Sequence, residues 1–147
     1  MTPTRVELLT DVSAIDSAAA LADWAWLLKG SFRPLALTRF CDWFIERPDG
    51  SVEFLDMLEG TLRRIAPSLA EWHAMLDTIE GRELLLAEMV ELMYEKGAVL
   101  RPGECFGYRV PPIAGGAIDS ANVTTYKVEF YASVQGQLHS QLRANSA

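Results

Sequence analysis

The stretch from Leu100 to Leu142 constrains this chain more than any other. It opens Leu-Arg-Pro-Gly-Glu-Cys-Phe-Gly-Tyr-Arg-Val-Pro-Pro-Ile-Ala-Gly-Gly, crosses a short polar gap, and continues from Asn122 through Val123 to Leu142. Pro111 and Pro112 each hold φ near about −65° and donate no backbone N–H, so this point is neither the interior of a helix nor a central strand. Gly115-Gly116 admits positive φ or the close approach of another segment. With apolar Phe106, Tyr108, Val110 and Ile113 alongside, the pattern predicts a rigid, partly buried crossing segment around which the remaining elements pack.

The 147 residues, 50% hydrophobic and 22% charged, supply enough apolar surface for one domain, expected to span 1–147 with residues 1–12 loosely ordered. No apolar run reaches about 18 residues, which excludes a transmembrane helix. The opening Met1-Thr-Pro-Thr-Arg-Val-Glu lacks a cationic region followed by an apolar one, so cytoplasm is the expected compartment. Cys41 and Cys105 form no CxxC pair and are expected as reduced core thiols. A net charge of −7 argues against nucleic acid or an anionic membrane as the direct ligand. The distribution says more: residues 41–95 hold 13 acidic and four basic side chains, a net −9, against seven acidic and nine basic elsewhere, a net +2. Such a run is a solvated face or a docking surface whose field steers a basic protein.

The order of signals predicts an α+β fold: an N-terminal helix, an antiparallel sheet built around a 42–57 hairpin, two helices, the Pro/Gly-rich crossing segment, a short strand and a C-terminal helix. Ser13 with Asp16 three residues on resembles a capping box, and Lys29-Gly30 supplies a stop; Ile15, Ala18, Leu21 or Ala22, and Trp26 mark the apolar face between them. Phe32 to Leu62 reads as strand. Within it Arg47-Pro-Asp-Gly50 separates two apolar runs and has the chemistry of a turn, since proline presets φ, aspartate caps locally and glycine takes the left-handed position. Val52, Phe54 and Asp56 share one face while Glu53, Leu55 and Met57 share the other, so both faces of the sheet are at least partly covered. After the turn at Glu59-Gly60, Thr61 to Ala66 is expected as a third antiparallel strand. Ser68-Leu-Ala-Glu71 is a capping box, and Leu69, Trp72, Leu76 and Ile79 form a single stripe ending at Gly81. A second helix is expected from Arg82 to Lys96, with Leu85, Met89, Leu92 and Met93 inward and Glu83, Glu88, Glu91 and Glu95 outward. Val123 to Glu129 predicts a short strand, and Phe130 to Leu142 a final helix despite Gly136.

Chemistry-bearing residues are sparse. His73 lies in no HExxH pattern, and His139 sits between Gln137 and Gln141, so neither carries a catalytic signature. No pair of histidines and cysteines has metal-ligand spacing. Ala114-Gly115-Gly116-Ala117 lacks the glycine spacing and the following Lys-Ser/Thr of a phosphate cradle. No catalytic residue, metal or cofactor is expected. Trp24, Trp26, Trp43 and Trp72 are expected in the core or on helix faces, with Trp43, beside an acidic hairpin, also a candidate anchor for a partner.

Several short motifs, taken in order, resemble one family. Gly103-Glu-Cys-Phe-Gly-Tyr, Pro112-Ile-Ala-Gly-Gly, Asn122-Val and Gly136-Gln-Leu-His-Ser-Gln141 are similar to the C-terminal signature of a small bacterial family that includes immunity proteins for type VI secretion DNase effectors. That domain often stands behind a GAD-like amino-terminal region. Pro34-Leu-Ala-Leu, Asp42-Trp-Phe-Ile, Asp49-Gly50 and Leu55-Asp56 resemble its β region, so the likeness covers about residues 32–142. Two positions depart from the pattern: Cys41 stands where relatives often have glycine before the aspartate–aromatic pair, and Ala114 where a bulkier aliphatic is usual. The resemblance implies an α+β fold and a non-enzymatic inhibitor that binds a cognate effector.

The leading expectation is therefore a cytoplasmic immunity protein that binds a cognate, basic toxin, of which a nuclease is one kind. Its candidate contact residues are Trp43, Glu46, Asp49 and Glu53 on the hairpin and Glu88, Glu91 and Glu95 on the second helix. The alternative is a general interaction or regulatory module of the same fold with no toxin partner.

Overall fold

Large apolar side chains occupy consecutive positions at Trp43-Phe44-Ile45 and again at Phe54-Leu55. In a strand, neighbours point to opposite faces, so these runs require a sheet buried on both sides. A computed structural model, which describes residues 5–146, has that arrangement. Strands β1 (Leu9–Thr10), β2 (Arg33–Thr38), β3 (Trp43–Glu46), β4 (Val52–Asp56) and β5 (Thr61–Ala66) form an antiparallel sheet in chain order. The central register pairs Phe44 with Phe54 and Trp43 with Leu55. Ala36, Phe44, Val52 and Phe54 enter one core cluster, while Leu37, Trp43, Ile45, Leu55 and Met57 enter another. Each fully buried side chain of this size contributes about 1.5–3 kcal/mol relative to exposure, so the two faces are of comparable importance. The fold is α+β.

On the first face lie helices α3 (Leu69–Leu76), α4 (Ile79–Leu84) and α5 (Ala87–Glu95), which contribute Trp72, Leu76, Val90 and Met93. On the second lies α6 (Val128–Ser146), with the short helix α2 (Ser17–Leu21), contributing Val128, Tyr131, Ala132 and Leu21. Strand β6 (Glu104–Tyr108) pairs with β7 (Val123–Lys127) as a separate antiparallel ribbon. The ribbon is tied to the main sheet where Phe106 N–H donates to the Arg39 carbonyl at 2.7 Å.

The hairpin forms as its turn residues require. Gly50 has φ 87°, and Asp49 accepts from the Ser51 N–H at 2.9 Å. Gly60 has φ 67° and its turn is closed by Asp56, which accepts from the Leu58 and Glu59 amides. Ser68 caps α3 by accepting from the Glu71 N–H.

Several expectations are corrected. The crossing segment is not the centre of the packing. Phe106 and Tyr108 are buried, but Val110 and Ile113 are half exposed, and Pro112–Ala114 is a surface 3-10 turn. Asn122 holds this loop closed: its Oδ1 accepts from the Val110 N–H, and its Nδ2 donates to the carbonyls of Val110 and Ala117. Residues 104–108, with no strand expected there, are paired because the prolines come only after them. The N-terminal helix is shorter than expected. Asp16, not Ser13, is the cap, accepting from the Ala19 N–H, and the helix passes into a 3-10 turn at Ala22–Trp24. That turn delivers the Trp24 indole to the Ala132 carbonyl of α6 at 2.8 Å. Of the residues expected to be loosely ordered, Arg5–Leu8 is a helical turn (α1), Leu8 is buried, and Leu9–Thr10 pairs with β2; residues 1–4 lie outside the described part.

The helical region differs most. Gly81 does not end a helix. It lies inside α4, which Thr78 starts by accepting from the Gly81 N–H, and a Cβ at Gly81 would collide with the Met75 carbonyl at the end of α3. Glycine is required there by close approach. Ile79, expected in the buried stripe, is 76% exposed as a result. The expected 82–96 helix is interrupted at Leu86, whose φ of 53° is left-handed.

Asp42 closes the turn between β2 and β3 from inside the core. It accepts from the Met57 N–H at 2.7 Å and from the Thr38 hydroxyl at 3.1 Å. Burial, then the neighbouring Asp56, push its carboxyl well above the usual range against the pull of those two bonds. Because the folded value exceeds the unfolded one, Asp42's contribution is fully present below about pH 4 and is lost as pH rises through the folded value. Asp42→Asn should flatten that loss, since it keeps an acceptor for Met57 and cannot ionise. Asp42→Ala should cost about 2 kcal/mol by leaving a buried amide unpaired. Urea denaturation from about pH 4 to pH 8 measures both.

Candidate partner-binding surface

The seven candidate contact residues fall into three environments. Trp43 is fully buried. It packs the second face of the sheet and offers nothing to a partner, which corrects the expectation of an aromatic anchor.

The hairpin acids are compensated locally. Glu46 pairs with Arg33 at 2.5 Å, and Glu53 pairs with Arg47, whose Nη1 donates to the Lys29 and Ser31 carbonyls. Asp49 accepts from both the hydroxyl and the amide of Ser51, bonds that hold its carboxyl below the usual range, with nearby Arg64 adding to the effect. Arg64 also faces Glu53 across the β4–β5 ladder. Three carboxylates thus meet three guanidinium groups, and this end of the sheet is close to neutral. Cross-strand pairing does this, and it is invisible along the sequence.

The helical acids are different. Between Ile79 and Glu95 there are five glutamates and one basic residue, Arg82. On α5, Ala87, Val90 and Met93 are buried, so Glu88, Leu92 and Glu95 are turned outward with Glu91 at the margin. No salt bridge holds Glu88, Glu91 or Glu95 among the described residues. Beside them the break at Leu86 opens a groove of about 630 Å³ between α4 and α5. Its apolar lining is Ile79, Leu86, Ala87, Met89 and Leu92, and its charged lining is Glu83, Glu88 and Arg82. Leu92 is 37% exposed, which departs from its expected inward placement, and Met89 is only half buried. Apolar residue type alone does not mark these positions as surface. Leu92, with glutamates four and one residues before it and three after, carries the one available signal, because residues three and four apart share a helix face.

The other titratable groups serve packing. His139 is buried on the inner side of α6, and its Nε2–H donates to the Met57 carbonyl at 2.8 Å. His73 is exposed, and its ring lies tilted at 48° to that of Trp72 with the centroids 4.7 Å apart. Cys41 and Cys105 are free and buried together, and burial raises the Cys41 thiol strongly. No group of three or more metal-binding side chains converges among the described residues, and none of their helices is long and apolar enough to cross a membrane.

Residues 68–139 match the family described as T6SS immunity protein Tdi1, C-terminal. The match spans 72 of the 147 residues and makes that segment similar to this family of type VI secretion immunity proteins, in agreement with its signature residues. The segment contains all of α3, α4 and α5. Among curated proteins none matches the sequence. The crystal structure of Atu4351 from Agrobacterium tumefaciens has the same fold, with a TM-score of 0.53 at 13% identity. The alignment covers 84% of this chain and 65% of that one, so this chain spans less than two thirds of its length.

The division between paired and unpaired acids has a direct consequence. Glu53→Gln should lower stability by about 1 kcal/mol, the range for a partly buried charged hydrogen bond. Glu88→Gln and Glu95→Gln should change it by less than about 0.5 kcal/mol, as exposed positions do. Thermal unfolding of the three variants checks this.

Proposed function

We propose that the chain is an immunity protein that binds a cognate secreted antibacterial toxin and neutralises it by surface complementarity, without bond-making chemistry of its own. The observation that carries this reading is the family match over residues 68–139, because the matched segment holds the unpaired acidic helix and its apolar groove. The excess charge there suits a basic partner. A nuclease is such a partner, since binding phosphates requires cationic residues, and an acidic inhibitor competes for the same groups. Charge of this kind acts mainly on encounter rate and partner choice.

Co-expression with effector candidates encoded beside its gene tests the reading. One of them should arrest growth alone, be tolerated with this chain present, and co-purify with it as a stoichiometric complex. Raising salt from about 50 mM to 500 mM should slow association far more than dissociation. Arrest that persists for every candidate, with no complex, would contradict the proposal.

A further inference from the structure

The α4–α5 groove is built, and at a cost. Leu86 adopts φ 53° and ψ 43°, a conformation that costs a residue with a Cβ about 1–2 kcal/mol. Without that break α4 and α5 would continue as one helix with Ile79 and Leu92 on opposed turns. With it, four aliphatic or thioether side chains face one opening, and Ile79 is left 76% exposed. Strain retained beside an open apolar surface points to a surface that is covered in use.

What covers it follows from charge. Glu83, Glu88 and one cation, Arg82, line the groove beside its apolar floor, and Glu91 and Glu95 continue the acidic edge along α5, which leaves four carboxylates against one guanidinium. An acidic segment would be repelled, and a wholly polar one would leave Ile79 and Leu92 wet. We infer that the groove between α4 and α5 receives one amphipathic segment of the toxin, with aliphatic side chains seated on Ile79, Leu86, Met89 and Leu92 and lysine or arginine side chains meeting Glu83 and Glu88. This is the helix-in-groove mode of recognition, with anchors at helical spacing. The inference rests on the immunity reading for the identity of the partner. It assigns the contact to the helical acids and leaves the hairpin acids outside it.

The test uses Ile79→Asp with Leu92→Asp, two exposed positions where substitution leaves the core intact, and Glu46→Gln with Asp49→Asn as the control pair. Against a toxin from which the unaltered chain protects cells, the aspartate pair should weaken binding at least about tenfold, the scale of losing central interface anchors. It should also abolish protection at an unchanged melting temperature, while the control pair binds as the unaltered chain does. Full protection and unaltered affinity in the aspartate pair would overturn the inference. So would a dimer of the free chain, seen by light scattering, that the aspartate pair makes monomeric without affecting toxin binding. If no toxin is neutralised, the immunity reading fails separately. The groove is then judged with a synthetic helix of about five turns bearing leucines on one face and lysines beside them. Saturable binding that the aspartate pair loses supports the groove, and absent or unaltered binding refutes it.

Discussion

The burial of both faces of the β3–β4 hairpin is the constraint from which the rest of the structure follows. Trp43, Phe44, Ile45, Phe54 and Leu55 are each no more than 2% exposed, and they point alternately to opposite sides. Neither side can be left to solvent, so helices must lie on each. The chain meets this by sending α3, α4 and α5 to one face and α2 with α6 to the other. The turn joining β2 to β3 is then enclosed as well. Asp42 is the consequence: a buried carboxyl kept because the Met57 amide and the Thr38 hydroxyl both need its oxygens.

The residues that mark the family are the points where these layers touch. Gly107 lies under the ring of Tyr131, where a Cβ would collide. Gly116 packs on the Val110 carbonyl beside the Asn122 amide. Gly136 lets α6 approach the backbone of Asp23, with a Cβ position only 2.7 Å from that carbonyl. His139 bonds Met57 and leaves no space for a side chain at Gly60. Cys41 has φ 72°, a left-handed position that favours glycine. A signature made of close contacts identifies the fold and says little about the ligand. The ligand is met by residues between the signature positions.

This division explains what could be read from the chain alone. The hairpin, its Pro-Asp-Gly turn, the third strand and the last helix were legible because each depends on residues within a few positions of one another. The α3–α4–α5 region was not. Gly81 reads as a stop, yet it is a contact point with Met75, and nothing nearby announces that Leu86 will break a helix. The candidate site was half legible for the same reason. An excess of carboxylates between residues 41 and 95 is a property of sequence, but Arg33, Arg47 and Arg64 reach the hairpin acids only across the folded sheet. Trp43 went inward because its strand is covered on the side it faces.

What remains at the surface is an acidic helix beside a strained apolar groove, within the segment that matches the type VI immunity family. Affinity in such an arrangement comes from the few apolar anchors, and the charges select and guide the partner. Hydrogen exchange of the chain with and without its toxin measures this most directly. The account predicts slowed exchange concentrated in residues 79–95, with the hairpin at 46–53 unchanged. Protection confined to the hairpin, or to the outer face of α6, would contradict it.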